Sequence, residues 1–326
     1  MIVIATRKID SSTNDIIDWI DGKGGTVIRV DEENALQQLH IVSGQGADRS
    51  FIQVNQQKIY FKDIVAFWHR KGQSFFADHP AHSMKLDTNH VDISAELAQE
   101  WEIVKEYLFF LLSQKRNLGN YFKSSLNKLI VQHQAQAIGL TIPQAFVLTA
   151  KEDALNLDLE VITKALSEVA IISFDDATYC SYTTEVTQDF IQTLPENFFP
   201  ALMQEKIVKK YELRVFYLDG KCYSMAIFSQ LDQQTAVDFR VYNMTKPNRT
   251  VPYQLPQDLE EKIDKLMNEL QLNTGSLDFM VTQDNEFYFL EVNPVGQFGM
   301  VSLPCNYYLE KKIADYLLNN QPDSNA

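Results

Sequence analysis

The order of apolar and polar positions predicts an α/β opening. Ile2–Ala5 is a short apolar run typical of a buried strand, residues 15–21 predict the end of a helix closed by glycines, and residues 26–30 predict a second strand. Alternation within residues 43–63 predicts a hairpin near a sheet edge, and residues 65–68 predict a further strand. A strand–helix–strand start of this kind favours an α/β layer.

The middle of the chain has helical periodicity. Apolar residues recur at spacings of three and four from Ile93 to Leu111, which predicts one long amphipathic helix. The polar residues 117–120 break this pattern and predict a first domain boundary. Helical spacing resumes over residues 126–138 and ends at Gly139, a residue type that favours the end of a helix.

The last third of the sequence predicts two tight hairpins. Residues 212–218 and 221–228 flank Asp219-Gly220, a favoured two-residue turn, and residues 276–282 and 286–292 flank a second turn at Asp284-Asn285. An apolar stripe between the hairpins predicts a helix. The chain is therefore predicted to be α/β (α+β), divided into residues 1–118, 119–203 and 204–326.

Charge and composition exclude several classes of protein. The 29 basic and 43 acidic residues give a net charge of −14, which argues against a nucleic-acid binder or a membrane-surface binder. No apolar stretch approaches the roughly 20 residues needed to span a bilayer, and the amino-terminal apolar run is too short for a signal peptide. The three cysteines lack metal-binding or disulfide spacing. We expect a cytoplasmic protein.

The strongest chemical signal is SLDFMVTQDNEFYFLEVNP, residues 276–294. If Asp284-Asn285 forms the two-residue loop, Asp278 lies directly opposite Glu291, and Asn293 shares their face of the sheet. The same register puts Met280, Phe287 and Phe289 on that face, and it puts Leu277, Phe279, Leu290 and Val292 on the other.

Two interpretations of this hairpin remain open on geometry alone. Opposed carboxylates destabilise a sheet unless a cation offsets them, and carboxylate oxygens completed by phosphate and water are what Mg²⁺ prefers. The hairpin is therefore either a magnesium–nucleotide site or a solvent-facing acidic pair at a sheet edge. The apolar neighbours on the carboxylate face indicate partial burial and favour the first interpretation.

A nucleotide would need basic side chains on strands, because the sequence has no glycine-rich phosphate loop. The candidates are Lys128, Lys164, Arg214 and Arg240. An isolated lysine is more often a solvated surface residue. Arg214 is harder to assign to the surface because it shares a strand face with Glu212 and Phe216 in an apolar hairpin.

These motifs resemble a known superfamily. Lys128 opening a helix, Lys164 beside a strand, MQEKI at 203–207 and EVNP at 291–294 resemble the ATP-grasp proteins in order and spacing. FWHRKG at 67–72, KKYELRVFYLDGK at 209–221, DFR at 238–240 and LDFMVTQDNEFYFLEVNPVGQF at 277–298 resemble the ATP-grasp peptide maturases. These enzymes install ester or amide crosslinks between side chains of ribosomal precursor peptides (microviridin-type and other graspetides). The segment from MAIFSQ to NRTVPYQLP and the ending CNYYLEKKIADYL are most similar to the "grasp-with-spasm" branch.

The resemblance implies a fold and a set of roles. Residues 1–118 would be a pre-ATP-grasp domain, 119–203 the central subdomain and 204–326 the carboxyl-terminal subdomain of an ATP-grasp fold. The nucleotide-binding candidates are Lys128 and Lys164 for the phosphates, Gln204, Glu205, Lys206 and Ile207 as the adenine-binding hinge, with Glu205 or a neighbour on the ribose, and Glu212 and Arg214. The magnesium ligands would be Asp278, Glu291 and Asn293. Arg214 and Arg240 would steady the transferring phosphoryl group and the substrate carboxylate, and Asp238 would serve as a base.

The implied activity is an ATP- and Mg²⁺-dependent ligase that crosslinks side chains of a precursor peptide with leader and core parts through an acyl phosphate. An ATP-grasp ligase of free amino acids or protein carboxyl termini is one alternative, and a non-catalytic peptide-binding scaffold is another. Homodimerisation is common in the family, although no residue identifies an interface. His69, Arg70 and Lys71 at a strand end either belong to a basic face that attracts an acidic peptide or form an ordinary solvated strand terminus.

Overall fold

The computed structural model describes residues 1–71, 94–167, 171–173, 178–180, 183–230 and 248–319. It divides into two compact units, the first formed by Met1–Ser124 with Tyr308–Ala326 and the second by Ser125–Tyr307. The first predicted boundary lies close to this division. The carboxyl-terminal helix belongs to the first unit, although the prediction places it in the carboxyl-terminal part.

In the described part of the chain, the strands are β1 (Ile2–Ala5), β2 (Val27–Val30), β3 (Leu36–His40), β4 (Phe51–Val54), β5 (Gln57–Tyr60), β6 (Ala66–His69), β7 (Arg116–Leu118), β8 (Ala145–Ala150), β9 (Val161–Thr163), β10 (Ile171–Ser173), β11 (Thr178–Cys180), β12 (Thr184–Val186), β13 (Asn197–Glu205), β14 (Lys209–Leu218), β15 (Lys221–Phe228), β16 (Arg249–Tyr253), β17 (Thr274–Thr282) and β18 (Phe287–Asn293). The helices there are α1 (Ser11–Gly22), α2 (Ser94–Ser113), α3 (Lys128–Ile138), α4 (Lys151–Leu155), α5 (Gln188–Thr193), α6 (Gln257–Glu269), α7 (Gly299–Cys305) and α8 (Leu309–Leu318).

The first unit is built on a parallel sheet of order β2-β1-β6-β7. One side of this sheet packs in a core with α2 and with the separate antiparallel sheet β3-β4-β5, through residues that include Val3, Phe67 and Leu108. Strand alternation directs the side chains between these positions, such as Ile4 and Trp68, to the opposite side. The predicted opening and the predicted long helix are confirmed, and the hairpin of residues 43–63 lies in the second sheet of this unit.

Among the described residues, the second unit contains two larger antiparallel sheets and the two-stranded antiparallel sheet β10-β11. Helices α4 and α5 contribute, with Val161 and Met203, to the core on one face of the sheet β12-β9-β13-β8. Helices α3 and α6 contribute to the core on one face of the sheet β16-β15-β14-β17-β18. Helix α3 ends at Gly139 as predicted, where the residue adopts φ +91°. The α/β (α+β) class is confirmed, and the predicted boundary between residues 203 and 204 falls inside β13.

The two predicted hairpins have different outcomes. Strands β14 and β15 meet at Asp219-Gly220 as predicted, with Leu218 paired to Lys221. The predicted two-residue loop at Asp284-Asn285 is wrong, because Thr282 N donates to Glu286 O and leaves residues 283–285 as the loop. Asn285 has φ +63°, the left-handed conformation that a three-residue hairpin loop requires at this position.

A β-bulge between β17 and β18 restores the register that this loop shifts. Phe279 pairs with Phe289, whereas Asp278 pairs with Glu291, so Leu290 is an extra residue without a partner in the register. The predicted pairing of Asp278 with Glu291 is therefore confirmed. The three-residue loop shifts the register by one residue, and the bulge shifts it back.

The bulge also changes which side chains face the core. Phe289 is fully buried against Phe279, with ring centroids 5.5 Å apart, and Phe287 packs against the same core. The prediction that both share the carboxylate face is wrong. Leu290, predicted on the face opposite the carboxylates, is instead on the side of Glu291, because the two residues of a bulge stand opposite a single partner. Leu277, Phe279 and Val292 lie on the opposite face as predicted, and this face packs in the core.

Candidate active site

A cavity of about 330 Å³ lies in the second unit and is lined by residues of both of its larger antiparallel sheets. Predicted nucleotide and metal residues meet here. Those that line the cavity are Lys164, Gln204, Glu205, Lys206, Ile207, Glu212, Asp278 and Glu291. Lys128, Arg214 and Asn293 are not part of its lining, and Asp238 and Arg240 lie outside the described residues.

Strand register explains why the acidic residues converge. Arg214 on β14 pairs with Asp278 on β17, which pairs with Glu291 on β18, so the three side chains stand in one row on the face away from the core. Arg214 Nη1 donates to both Asp278 oxygens, at 2.8 and 2.6 Å. This guanidinium offsets the repulsion between two carboxylates that sit directly opposite each other.

Lys128 approaches the same row from the start of α3. Its Nζ lies 3.6 Å from Glu291 Oε2 and donates to the carbonyl oxygens of Ala165, at 3.3 Å, and Ser167, at 2.8 Å. The side chain of Asn127 caps this helix by accepting from two backbone N–H groups. Lys128 therefore ties the segment that follows β9 to the carboxylate of Glu291.

Two carboxylates on the cavity wall provide a donor set that fits a magnesium ion. Mg²⁺ binds through one or two carboxylates and completes its shell with phosphate and water. No group of three or more His, Cys, Asp and Glu side chains suited to a metal occurs among the residues that the structure describes. Asn293 Oδ1 accepts from the backbone N–H groups of Val295 and Gly296, both at 3.1 Å, so its role as a metal ligand stays a prediction.

The predicted hinge lies at the end of β13. Glu205 Oε2 accepts from Gln144 N at 3.0 Å, and Glu205 N donates to Gln144 O at 2.8 Å. Lys206 Nζ is 2.9 Å from Glu185 and 3.1 Å from Glu160, and these hydrogen bonds, the one to Glu185 first, raise the pKa of Lys206. The side chains of Glu205 and Lys206 thus hold neighbouring strands and loops together.

Sequence patterns do not predict one buried cation that lies at this cavity. Lys209 lines the cavity and forms an ion pair with Glu212, and both residues are 5% exposed. Residues three apart in a regular strand point to opposite faces. A bulge between Lys209 and Tyr211 brings Lys209 to the side of Glu212, and no residue pattern indicates that bulge.

The basic residues at the end of β6 lie in the first unit and have a different environment. His69 is 7% exposed and packs edge-on against Phe109 and Tyr121, and this burial lowers the pKa of His69 to about 4. Arg70 is 1% exposed and its Nε lies 3.7 Å from Asp10. For these two residues, both a basic peptide-attracting face and a solvated strand terminus are therefore wrong.

Solved structures similar to this chain were found, although comparisons of sequence found no match. No protein-family model matches the sequence, and no curated protein is significantly similar to it. The RiPP-associated ATP-grasp ligase of Chryseobacterium gregarium, solved with ADP and a leader and core peptide, is 24% identical; the match covers 98% of this chain and 97% of that chain with a TM-score of 0.83. Macrocyclase MdnC of Microcystis aeruginosa MRC, bound with precursor peptide MdnA, is 25% identical over 98% of this chain and 100% of that chain, with a TM-score of 0.75.

A third similar structure is the ATP-grasp ligase PsnB, complexed with minimal precursor, Mg and ADP. It is 15% identical, with 98% of this chain and 96% of that chain covered and a TM-score of 0.70. Coverage of nearly every residue on both sides excludes a match through one shared subdomain. The chain therefore has the ATP-grasp fold and, as its motifs predict, resembles ATP-grasp ligases and a macrocyclase that were solved in complex with precursor peptides.

Proposed function

We propose that this protein is an ATP-dependent ligase that joins side chains within a precursor peptide through ester or amide bonds. The observation that carries the proposal is the meeting, in one cavity of an ATP-grasp fold, of the Asp278–Glu291 pair with Lys164 and the hinge strand. The similar structures were solved with a precursor or with leader and core peptides, and two of them also with ADP, which supports a peptide and ATP as the substrates here.

In this proposal, the hinge residues Gln204–Ile207 border the base, and Glu205 or a neighbour binds the ribose. Glu212, which lines the same cavity, also belongs to the nucleotide site. Lys164, which lines the cavity, and Lys128, whose Nζ lies 3.6 Å from Glu291 Oε2, would supply positive charge to the phosphates. Asp278 and Glu291 would hold Mg²⁺, with Asn293 as a further ligand. When bound, the ion offsets negative charge on phosphate oxygens.

The reaction follows from the need to activate an acid. A carboxylate oxygen of the peptide attacks the γ-phosphorus of ATP, ADP leaves, and an acyl phosphate forms. A hydroxyl or amine of a second side chain then attacks the acyl carbon, loses its proton and displaces phosphate. Arg214 is fixed by Asp278 and steadies charge on the phosphoryl oxygens or the substrate carboxylate, as a planar guanidinium can. Arg240 would share this task, and Asp238 would accept the proton.

The partner and location are part of the proposal. The substrate is a ribosomally made peptide with a leader and a core, and the enzyme acts in the cytoplasm as a homodimer, the form common in the family that its motifs resemble. No helix among the described residues combines the length and apolar character needed to cross a bilayer. The acidic exterior, with a net charge of −14, makes nucleic acid an unsuitable partner.

Mass spectrometry of the precursor peptide encoded beside this protein tests the proposal. After co-expression, the peptide is expected to lose 18 Da for each bond formed, and the purified enzyme is expected to hydrolyse ATP faster when the peptide is present. Glu291→Gln should reduce modification by about 10² or more, the usual effect of removing a preorganised charge-stabilising group. Glu286→Gln is the matched control, because Glu286 is exposed at the tip of the same hairpin.

Each contrary result identifies an alternative. ATP turnover with free amino acids and an unmodified peptide would indicate a ligase of free amino acids or protein carboxyl termini. Peptide binding without magnesium-dependent ATP turnover would indicate a non-catalytic scaffold. Wild-type modification by Glu291→Gln would show that the metal assignment is wrong.

A further inference from the structure

The bulge at Leu290 decides which face of the sheet Glu291 occupies. If β18 continued from Phe289 without the extra residue, Glu291 would stand opposite Leu277, which faces the core. With the bulge, Glu291 stands opposite Asp278 and lines the cavity. The pair of carboxylates that fits a magnesium ion therefore depends on this one irregularity in the strand.

Two backbone groups of the bulged segment are held from outside the sheet. Strand β18 is the last strand in the order of its sheet. The backbone N–H of Phe289 donates to Thr141 O at 2.8 Å, and the carbonyl oxygen of Leu290 accepts from Gln132 Nε2 at 3.4 Å. Both partners belong to α3 or to the segment that follows it. Helix α3 and its connection therefore replace, at the bulge, part of the support that a neighbouring strand gives elsewhere.

The position of Gln132 on α3 relates it to the metal site. It lies four residues after Lys128, so the two side chains are on the same side of the helix. Lys128 Nζ approaches the carboxylate of Glu291, at 3.6 Å, and the amide of Gln132 reaches the carbonyl group of the preceding residue. Gln132 is 5% exposed beside the core residues Val131 and Ala135, and it is not part of the cavity lining. The hydrogen bond to β18 explains a glutamine at this buried position, because buried polar groups need partners.

We propose that Gln132 is a positioning residue of the metal site. Its amide fixes the bulge at Leu290 and thereby holds the carboxylate of Glu291 opposite Asp278, a role that rests on the proposed use of ATP and Mg²⁺. Without this N–H donor the carbonyl group of Leu290 loses a partner, and the bulged register loses stability relative to the regular one. Metal ligands bind tightly when the groups around them fix their orientation, so a less fixed Glu291 lowers the affinity for the ion.

Calorimetric titration of Mn²⁺ into the ADP-saturated protein tests this role, since Mn²⁺ takes the same carboxylate and water ligands as Mg²⁺. Gln132→Met keeps the length of the side chain and removes the N–H donor. It should weaken Mn²⁺ binding by about tenfold or more, the usual effect of removing a group that orients a metal ligand. ADP binding without metal should keep the wild-type affinity, because Gln132 does not line the cavity. Gln132→Glu, which also lacks the N–H, serves if the Met variant does not fold.

A double variant separates positioning from a general loosening of the unit. Glu291→Gln alone should weaken Mn²⁺ binding, and adding Gln132→Met to it should cause no further loss, because Gln132 acts only through Glu291. Gln136→Met is the matched control, since Gln136 is exposed one turn further along α3. It should bind Mn²⁺ and ADP as the wild-type protein does.

Three results would overturn the inference while the proposed function stands. They are wild-type Mn²⁺ affinity in the Gln132 variants, an equal loss of metal-free ADP binding, and full addition of the two losses in the double variant. If the wild-type protein binds ADP and Mn²⁺ but neither turns over ATP nor modifies peptide, the proposed function fails and the same titrations still decide the role of Gln132. If the wild-type protein binds neither ADP nor Mn²⁺, both fail.

Discussion

One cluster of acidic and basic side chains in the first unit and one in the second have different surroundings. In the first unit, Asp10 lies between Arg70 and Lys71, with closest approaches of 3.7 and 3.5 Å. In the second unit, Asp278 pairs with Arg214 and Glu291 lies 3.6 Å from Lys128. Asp278 and Glu291 line a cavity, whereas Asp10 is 4% exposed among residues of its own unit.

Hydrogen bonding makes the contrast clearer. The carboxylate of Asp10 also accepts from the hydroxyl groups of Thr6, Ser12 and Thr13, each at 2.9 Å. Burial alone would raise the pKa of Asp10, but the charge of Arg70 and these hydroxyl groups outweigh it and lower the pKa. The first cluster is therefore enclosed by its own unit, whereas Asp278 and Glu291 of the second cluster border a cavity. The same residue types thus occur in two environments, which the sequence does not distinguish.

Removing Arg70 should give the largest loss of stability. Arg70→Met leaves Asp10 buried with Lys71 as its only nearby cation among the described residues, and breaking a buried pair from one side costs about 3–5 kcal/mol. Denaturant unfolding measures the change. Lys71→Met is the control, since Lys71 is partly exposed and its loss should cost about 1 kcal/mol or less. If Arg70→Met kept its stability and lost ligase activity, the first cluster would be functional.

Replacing Arg214 should instead reduce turnover. Arg214→Lys keeps the charge beside Asp278 and removes the planar fork, so we expect peptide modification to slow by about 10² or more, equivalent to roughly 2.7 kcal/mol. The free energy of unfolding should change by only about 1 kcal/mol, because an ion pair can still form. Rates from mass spectrometry and unfolding curves separate the two effects.

Arg249→Lys is the matched control for that experiment. Arg249 begins β16 on the same sheet, is exposed, and stacks over Phe228 with 5.4 Å between its guanidinium carbon and the ring centroid. It should modify peptide at the wild-type rate. An equal loss in both arginine variants would contradict a specific role for Arg214.

The sequence predicted the elements well because each depends on local pattern. The long helix α2, the end of α3 at Gly139 and the turn at Asp219-Gly220 all follow from apolar spacing or from a single residue with special backbone freedom. The pairing of Asp278 with Glu291 was also predicted, although the prediction assumed a two-residue loop. The bulge at Leu290 compensates for the additional residue in the three-residue loop.

The sequence could not predict the β-bulges or the burial of individual polar and charged side chains. A bulge has no reliable residue signature, so the sides occupied by Leu290, Phe289 and Lys209 could not be predicted. Burial of a charged residue depends on partners distant in sequence, as Arg70 shows with Asp10. The burial of Gln204 likewise follows from the strand β9, which the sequence pattern does not place beside β13.

Acid should weaken the first unit through His69. Burial among Phe67, Phe109 and Tyr121 lowers the pKa of His69 to about 4 in the folded protein, against 6.5 for an ordinary histidine. Between these values the unfolded chain binds a proton that the folded chain does not, so stability is complete above pH 6.5 and falls as the pH drops toward 4. From pH 8 to pH 5 the loss from this residue should be about 2 kcal/mol. Unfolding curves of His69→Phe, which keeps a ring in the cluster, should lack this part of the pH dependence, whereas His133→Phe, at an exposed position, should retain it. Identical pH profiles for His69→Phe and the wild-type protein would show that the pKa of His69 is the same in the folded and unfolded chain, so that its burial does not disfavour the protonated form.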